Sequence, residues 1–178
     1  VEALHNRTIF NAVNVPAVDA EQWEHLRPYY ELCGKLAAFL SQGSHEKIDS
    51  IHITYSGDVT KQKTQALTLA IVKNFLAQFI QEHVNDVNAP VLAKERGIQV
   101  TESTTDHFGS YTNSIHVEII IGTNSHSVRG TLLSDGTARS VEIDKYRVDI
   151  SAEGTRRLFL KPDVPGSPGR GSTILGKN

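Results

Sequence analysis

The chain of 178 residues has the length of one domain and can bury a hydrophobic core without a disulfide or a metal ion. Its formal net charge of −2 provides no basic field for nucleic acid. No apolar run approaches the roughly 20 residues that a membrane span requires, and the start of the chain lacks a signal-peptide pattern. These properties argue against nucleic-acid-binding and membrane proteins.

The first predicted elements are a connector and a long helix. Residues 1–18 include an extended segment ending at Pro16, which we interpret as a connector. Asp19 has the form of a helix N-cap, with Gln22 as its capping-box partner. Apolar residues then recur at helical spacing and predict a helix that ends near Ser41. These residues are Trp23, Leu26, Tyr30, Cys33, Ala37 and Leu40.

A strand and two further helices are predicted next. Residues 51–55 alternate apolar and polar side chains, which is typical of a strand. Thr60 is a suitable N-cap for a long second helix with an apolar face that extends to Ile80. A short helix over residues 89–96 ends at Gly97, because glycine accepts the positive φ of a helix C′ position.

The second half of the sequence is predicted to be a meander of short strands. Each segment is rich in β-branched residues and bounded by turn residues. The predicted strands span residues 98–103, 114–122, 126–133, 138–143, 146–151 and 156–161. Asp144 and Lys145 form the expected two-residue hairpin between two of them. The predicted class is therefore α+β, with an antiparallel or mixed sheet and helices packed mainly on one face.

The sequence contains no recognisable catalytic, metal or cofactor motif. There is no Gly-x-Gly-x-x-Gly cradle for a dinucleotide and no His-x-x-x-His pair among the eight histidines. The single cysteine, Cys33, lies in an apolar helical pattern and is expected to be a buried thiol. A lone thiol suits a reducing cytoplasm. We therefore predict no catalytic residue, metal site or bound cofactor within this chain.

A group of cations on the predicted meander could bind a small anion. Arg129, Arg139, Lys145 and Arg147 concentrate there, and the arginine fork suits phosphate and carboxylate oxygens. The alternative is an ion pair, because Glu142 would lie opposite Arg147 across a two-residue hairpin. Regular alternation also places Arg139 and Arg147 on opposite faces. Joint binding by these two arginines would then need a bulge or a second subunit.

Several segments resemble the intervening, or allosteric substrate-binding, domain of long-form D-3-phosphoglycerate dehydrogenase. Their order and spacing agree with that family over nearly the whole chain. The matching segments are residues 11–16 (NAVNVP), 87–98 (VNAPVLAKERGI), 129–132 (RGTL) and 141–149 (VEIDKYRVD). The resemblance predicts residues 19–161 as that domain and residues 162–178 as the start of an ACT domain. The absence of methionine also predicts that the chain is part of a longer protein.

The resemblance implies a regulatory role in a larger enzyme. Such enzymes oxidise 3-phosphoglycerate with NAD in serine synthesis, and this domain joins subunits of a tetramer. In some members it binds a phosphorylated anion. By position, Arg139 matches a basic residue of that anion site and Arg147 matches a position that some members occupy with histidine, but Ser151 stands where those members have arginine. The alternatives are the related domain of iron–sulfur L-serine dehydratase, whose expected serine- and cysteine-based motifs are absent, and a stand-alone anion-binding module.

Overall fold

The computed structural model describes residues 5–9, 20–42, 47–105, 111–144 and 146–151. The helices in these ranges are α1 (Ala20–Gln42), α2 (Thr64–Leu76) and α3 (Ala89–Glu95), with a 3₁₀ turn at Asp58–Lys61. The strands are β1 (His5–Ile9), β2 (Ser50–Gly57), β3 (Gln99–Thr105), β4 (Asn113–Ile121), β5 (Asn124–Leu132), β6 (Ala138–Ile143) and β7 (Tyr146–Ser151). The α+β class predicted from the sequence is confirmed.

The described strands form one mixed sheet in the order β1-β3-β2-β4-β5-β6-β7. Strands β2 and β3 are parallel, and all other neighbours are antiparallel. The parallel pair requires a crossover, which α2 and α3 supply between β2 and β3. Only β4 to β7 form the expected meander, because β2 separates β3 from β4 in the sheet.

The helices pack on one face of the sheet, as predicted. Tyr55, Ile115 and Gly130 are cross-strand neighbours and therefore point to the same face. The Tyr55 hydroxyl forms a hydrogen bond with the Thr68 hydroxyl of α2. A Cβ atom added at Gly130 would contact Leu32 and Leu36 of α1. Both helices therefore cover this face, where the buried apolar residues of β2, β4 and β5 form the core with them.

Two boundary predictions were wrong. The residues interpreted as part of a connector include β1, which pairs antiparallel with β3 and adds an edge strand. The second helix begins at Thr64 rather than after Thr60, because Thr60 lies in the 3₁₀ turn and donates its hydroxyl to the Gly57 carbonyl at 2.8 Å. The predicted cap at Asp19 and the predicted strand 156–161 lie outside the described residues.

The predicted turn positions are confirmed where they can be seen. The N–H of Gly97 donates to Lys94 O at 3.0 Å, and the N–H of Ile98 donates to Ala93 O at 2.9 Å. With φ of 74° at Gly97, these two bonds form a Schellman motif that ends α3. At the β6–β7 hairpin, Ile143 pairs with Tyr146, and Asp144 adopts a φ of 51°, as a two-residue loop requires.

Candidate functional site

The face of the sheet opposite the helices, called the open face here, carries polar side chains from every strand between β2 and β6. Hydroxyl groups contact one another across the strands, as between Ser56 Oγ and Ser114 Oγ at 2.7 Å and between Thr54 Oγ1 and Ser103 Oγ at 2.9 Å. Successive residues of a strand point to opposite faces, so the strands that contribute apolar residues to the core contribute other residues, mostly polar, to the open face. Ser56, Ser103 and Ser114 are themselves buried, so the part of this face that a ligand can reach lies toward β6 and β7.

A β-bulge brings the predicted arginines to the open face. Glu142 of β6 pairs with Arg129 of β5, and Arg139 pairs with Thr131, so the register shifts by one residue between them. Against β7 the register also shifts by one residue, with the extra residue in β7, since Glu142 pairs with Arg147 and Arg139 with Ser151. Because the extra residue in β6 breaks regular alternation, Arg129, Arg139 and Arg147 lie on one face. Regular alternation would have placed Arg139 and Arg147 on opposite faces, and the bulge is one of the two conditions expected from the sequence for their joint binding.

Carboxylates accompany two of these arginines. Arg129 Nε lies 3.4 Å from Glu142 Oε2, and Arg139 Nη1 lies 3.1 Å from Asp149 Oδ1. Arg147 is exposed and forms no ion pair within the described residues, although it lies opposite Glu142 in the register, as predicted. Of the three guanidinium groups, two are therefore paired with a carboxylate within the described residues and the third is not. Lys145, the fourth predicted residue, lies outside the described residues.

Arg139 retains an unused hydrogen-bond donor. Its Nε is buried and has no hydrogen-bond partner, which is true of no other buried side-chain nitrogen or oxygen in the described part of the chain. Buried donors normally have an acceptor, and an anion oxygen is an acceptor that could meet this requirement. Because its partner Asp149 is exposed over 79% of its side chain, the bond between Asp149 and Arg139 is open to competition from another anion.

Two neighbours of Arg129 were not predicted as site residues. Ser114 Oγ accepts a hydrogen bond from Arg129 Nη1 at 3.4 Å, and His116 lies opposite Arg129 on β4. Burial, together with the positive charge of Arg129, lowers the pKa of His116 to about 4, so its imidazole is neutral at pH 7. Alternation within β4 indicates the face of His116, but its position beside Arg129 depends on the strand order.

A second buried polar group lies on the helix-covered face. Thr68 of α2 donates its hydroxyl to Glu102 of β3, and the Tyr55 hydroxyl lies 2.8 Å from Thr68 Oγ1. Burial raises the pKa of the Glu102 carboxyl above its ordinary value. Burial also raises the pKa of the Cys33 thiol, which is fully buried and therefore unreactive as a nucleophile. The hydrogen bonds of Thr68 with Tyr55 and Glu102 link α2 to the sheet.

The described residues contain no group of three or more histidine, cysteine or acidic side chains arranged to hold a metal ion. Within the same residues, no helix has the length and hydrophobicity to cross a bilayer.

Residues 25–144 match the family model described as the D-3-phosphoglycerate dehydrogenase intervening domain. This chain belongs to that family. The match begins inside α1 and ends at the β6–β7 hairpin, so it includes the core of the sheet, the covering helices and the β5–β6 bulge. The intervening-domain resemblance that the sequence segments suggested is thereby confirmed.

Curated relatives of this intervening domain carry the name D-3-phosphoglycerate dehydrogenase. The relative from Synechocystis sp. is 33% identical over 167 residues, which cover 93% of this chain and 30% of the relative. The relative from Bacillus subtilis is 31% identical over 170 residues, which cover 96% of this chain and 32% of the relative. The relative from Methanocaldococcus jannaschii is 31% identical over 166 residues, which cover 93% of this chain and 31% of the relative. The chain therefore spans about a third of the length of these relatives.

Proposed function

We propose that this intervening domain serves as a regulatory and assembly domain of a D-3-phosphoglycerate dehydrogenase and holds no catalytic residue of its own. The whole enzyme would oxidise 3-phosphoglycerate with NAD to 3-phosphohydroxypyruvate in serine synthesis, in the cytoplasm. The family match over residues 25–144 and the names of the relatives support this assignment. NAD and the reacting substrate would bind outside this chain, and the domain would join subunits of a tetramer.

The regulatory ligand that we propose is a small phosphorylated anion on the open face. The bulge in β6 is the observation that carries the proposal, because with it three arginines of β5, β6 and β7 lie on one face of the sheet. Arg139 and Arg147 would bind the phosphate oxygens, with Lys145 and Arg129 adding positive charge. The anion would compete with Asp149 for Arg139, and Ser151 offers a hydroxyl rather than a cation opposite Arg139. Binding should therefore be weak and sensitive to salt.

Calorimetric titration with 3-phosphohydroxypyruvate and with inorganic phosphate tests this site. We expect Arg139→Ala and Arg147→Ala each to weaken binding about tenfold, as loss of one charge-assisted contact predicts. Asp149→Asn should tighten binding, since it releases Arg139 from its ion pair. The control is Arg27→Ala, which removes an exposed arginine paired with Glu31 on α1 and should change nothing. Unchanged binding in both arginine variants, or no binding at millimolar ligand, would refute the anion site.

The proposed lack of catalysis has a separate test. The purified chain should not reduce NAD in the presence of 3-phosphoglycerate, and turnover by this chain alone would overturn that part of the proposal. Sedimentation at increasing protein concentration tests self-association. A chain that stays monomeric at high concentration would remove the assembly role while leaving the anion site in place.

A further inference from the structure

A second candidate site lies on the helix-covered side of the sheet, away from the arginines. A cavity of about 350 Å³ opens between the end of α2 and the starts of β2 and β3. Its walls are mainly apolar and include Phe75, Phe79, Ile80 and Ile98. The Phe75 and Phe79 rings lie 5.2 Å apart, and 41% of Phe79 remains exposed. The cavity thus presents an aromatic surface to solvent, near the lower end of the volumes that bind small molecules.

Two cations border this apolar cavity. Lys47 and Arg96 both line it, one just before β2 and the other just before β3. The two strands are parallel, with Ser50 opposite Gln99, and the Gln99 N–H donates to Asp49 O at 3.0 Å. Each cation stands three residues before the Ser50–Gln99 pair. The parallel register therefore brings them to the same end of the sheet.

Neither cation has an acidic partner within the described residues. Among the described residues, the nearest carboxylate along the chain from Lys47 is Asp49, and it accepts the Gly122 N–H at 2.8 Å on the β4 side of β2. Arg96 caps the C-terminal end of α3, where a cation is favourable on its own account. Lys47 belongs to no helix, so helix capping does not explain the pair. Two cations that have no acidic partner among the described residues, beside an apolar cavity, complement a ligand with a carboxylate and an apolar body.

We propose that this cavity binds a small carboxylic acid with an aromatic or branched apolar body. The body packs against Phe75 and Phe79, and the carboxylate lies between Lys47 and Arg96. The site differs from the arginine group in location and chemistry, since it combines apolar contact with one carboxylate rather than several donors for a phosphate. The proposal does not depend on the anion site of the open face.

The test uses 3-phenylpropionate as the probe and follows backbone amide signals by NMR during titration. We expect a dissociation constant of about a millimolar, consistent with a ligand of this size in a half-open cavity. The amides that shift should be those of residues 47–48, 75–80 and 96–98. The neutral 3-phenylpropanamide and the body-less acetate should each bind at least about fivefold more weakly. No shifts at 20 mM probe, or equal binding of the neutral amide, would overturn the proposal.

Matched substitutions separate the two halves of the site. Lys47→Gln and Arg96→Gln should each weaken the acid about threefold to tenfold without weakening the neutral amide, whereas Lys94→Gln, an exposed cation on α3, should have no effect. Phe79→Ala should weaken both acid and amide, and exposed Gln78→Ala should weaken neither. The substituted side chains are exposed, so thermal midpoints should stay near that of the unmodified chain. Equal affinity in Lys47→Gln, Arg96→Gln and Lys94→Gln would exclude the carboxylate contact.

Discussion

Substitution of Gly130 by alanine should destabilise the contact between α1 and the sheet. Gly130 lies in β5, directly beneath α1. An added Cβ would stand 2.9 Å from Leu32 Cδ1 and 3.0 Å from both Cδ atoms of Leu36. Carbon atoms in contact normally lie about 3.5–4.0 Å apart. The new methyl group would therefore overlap three methyl groups at once.

The size of the effect depends on whether the two leucines can move. Leu32 and Leu36 are 0% and 1% exposed, so neither side chain can turn into solvent. Overpacking of this kind costs about 1–3 kcal/mol, and the lower chain entropy of alanine in the unfolded state offsets about 0.4–1 kcal/mol. We expect a net loss of about 1–2 kcal/mol in the free energy of unfolding. For a chain of this size, that corresponds to a fall of roughly 2–8 °C in Tm.

Thermal and urea unfolding followed by circular dichroism measure this loss. Gly34→Ala is the matched control, because its Cβ would approach only the flexible Asn74 side chain, at 3.2 Å. That substitution lies within α1 and should leave stability unchanged or raise it by up to about 1 kcal/mol. Combining Gly130→Ala with Leu36→Val should cost less than the sum of the single changes, since the smaller side chain makes room. An unchanged Tm in Gly130→Ala would show that α1 does not sit on β5 at the observed distance.

Three further predictions concern buried ionisable groups and one turn. Burial raises the pKa of Glu102 in the folded chain, so the free energy of unfolding should fall as pH rises from the ordinary value of 4.5 through the folded pKa. Urea titrations at several pH values should show this loss in the unmodified chain but not in Glu102→Gln. Parallel plots of unfolding free energy against pH for the two chains would contradict the assignment. For His116 the dependence on pH is reversed, because burial lowers its pKa from 6.5 to about 4. Acidification across that window should therefore remove up to about 3 kcal/mol of unfolding free energy, and His116→Gln should lose less unfolding free energy than the unmodified chain. Gly97→Ala should cost about 1 kcal/mol in urea unfolding because φ is 74°, whereas Gly97→Asn should cost less; equal costs would argue against the left-handed conformation.

Local patterns in the sequence predicted many of the elements. The strands at residues 138–143 and 146–151 have the predicted bounds, because two-residue alternation and the flanking turn residues are local signals. Gly97 ends α3 as expected, since the positive φ of a helix C′ position is itself a local requirement. The start of α2 was misjudged because a threonine hydroxyl can also donate to a carbonyl three residues before it, as Thr60 does within the 3₁₀ turn.

The candidate arginine site needed information that the sequence pattern does not contain. Arg129, Arg139 and Arg147 were identified by residue type, but their common face depends on one extra residue in β6. A bulge changes the side-chain alternation without a distinctive local composition, so regular alternation predicted the wrong face for one arginine. The ion pair between Arg139 and Asp149 likewise depends on pairing between β6 and β7.

The amino-acid sequence alone thus predicted most helices and strands, because their periodicity depends on residues a few positions apart. It also predicted the family, because several segments resemble those of its members. Strand order, the edge position of β1, the parallel β2–β3 pair and the cavity between Lys47 and Arg96 were not predicted. They depend on which surfaces can be buried together, and contacts between residues about 50 positions apart, as between Ile51 and Val100, leave no local signal in the sequence.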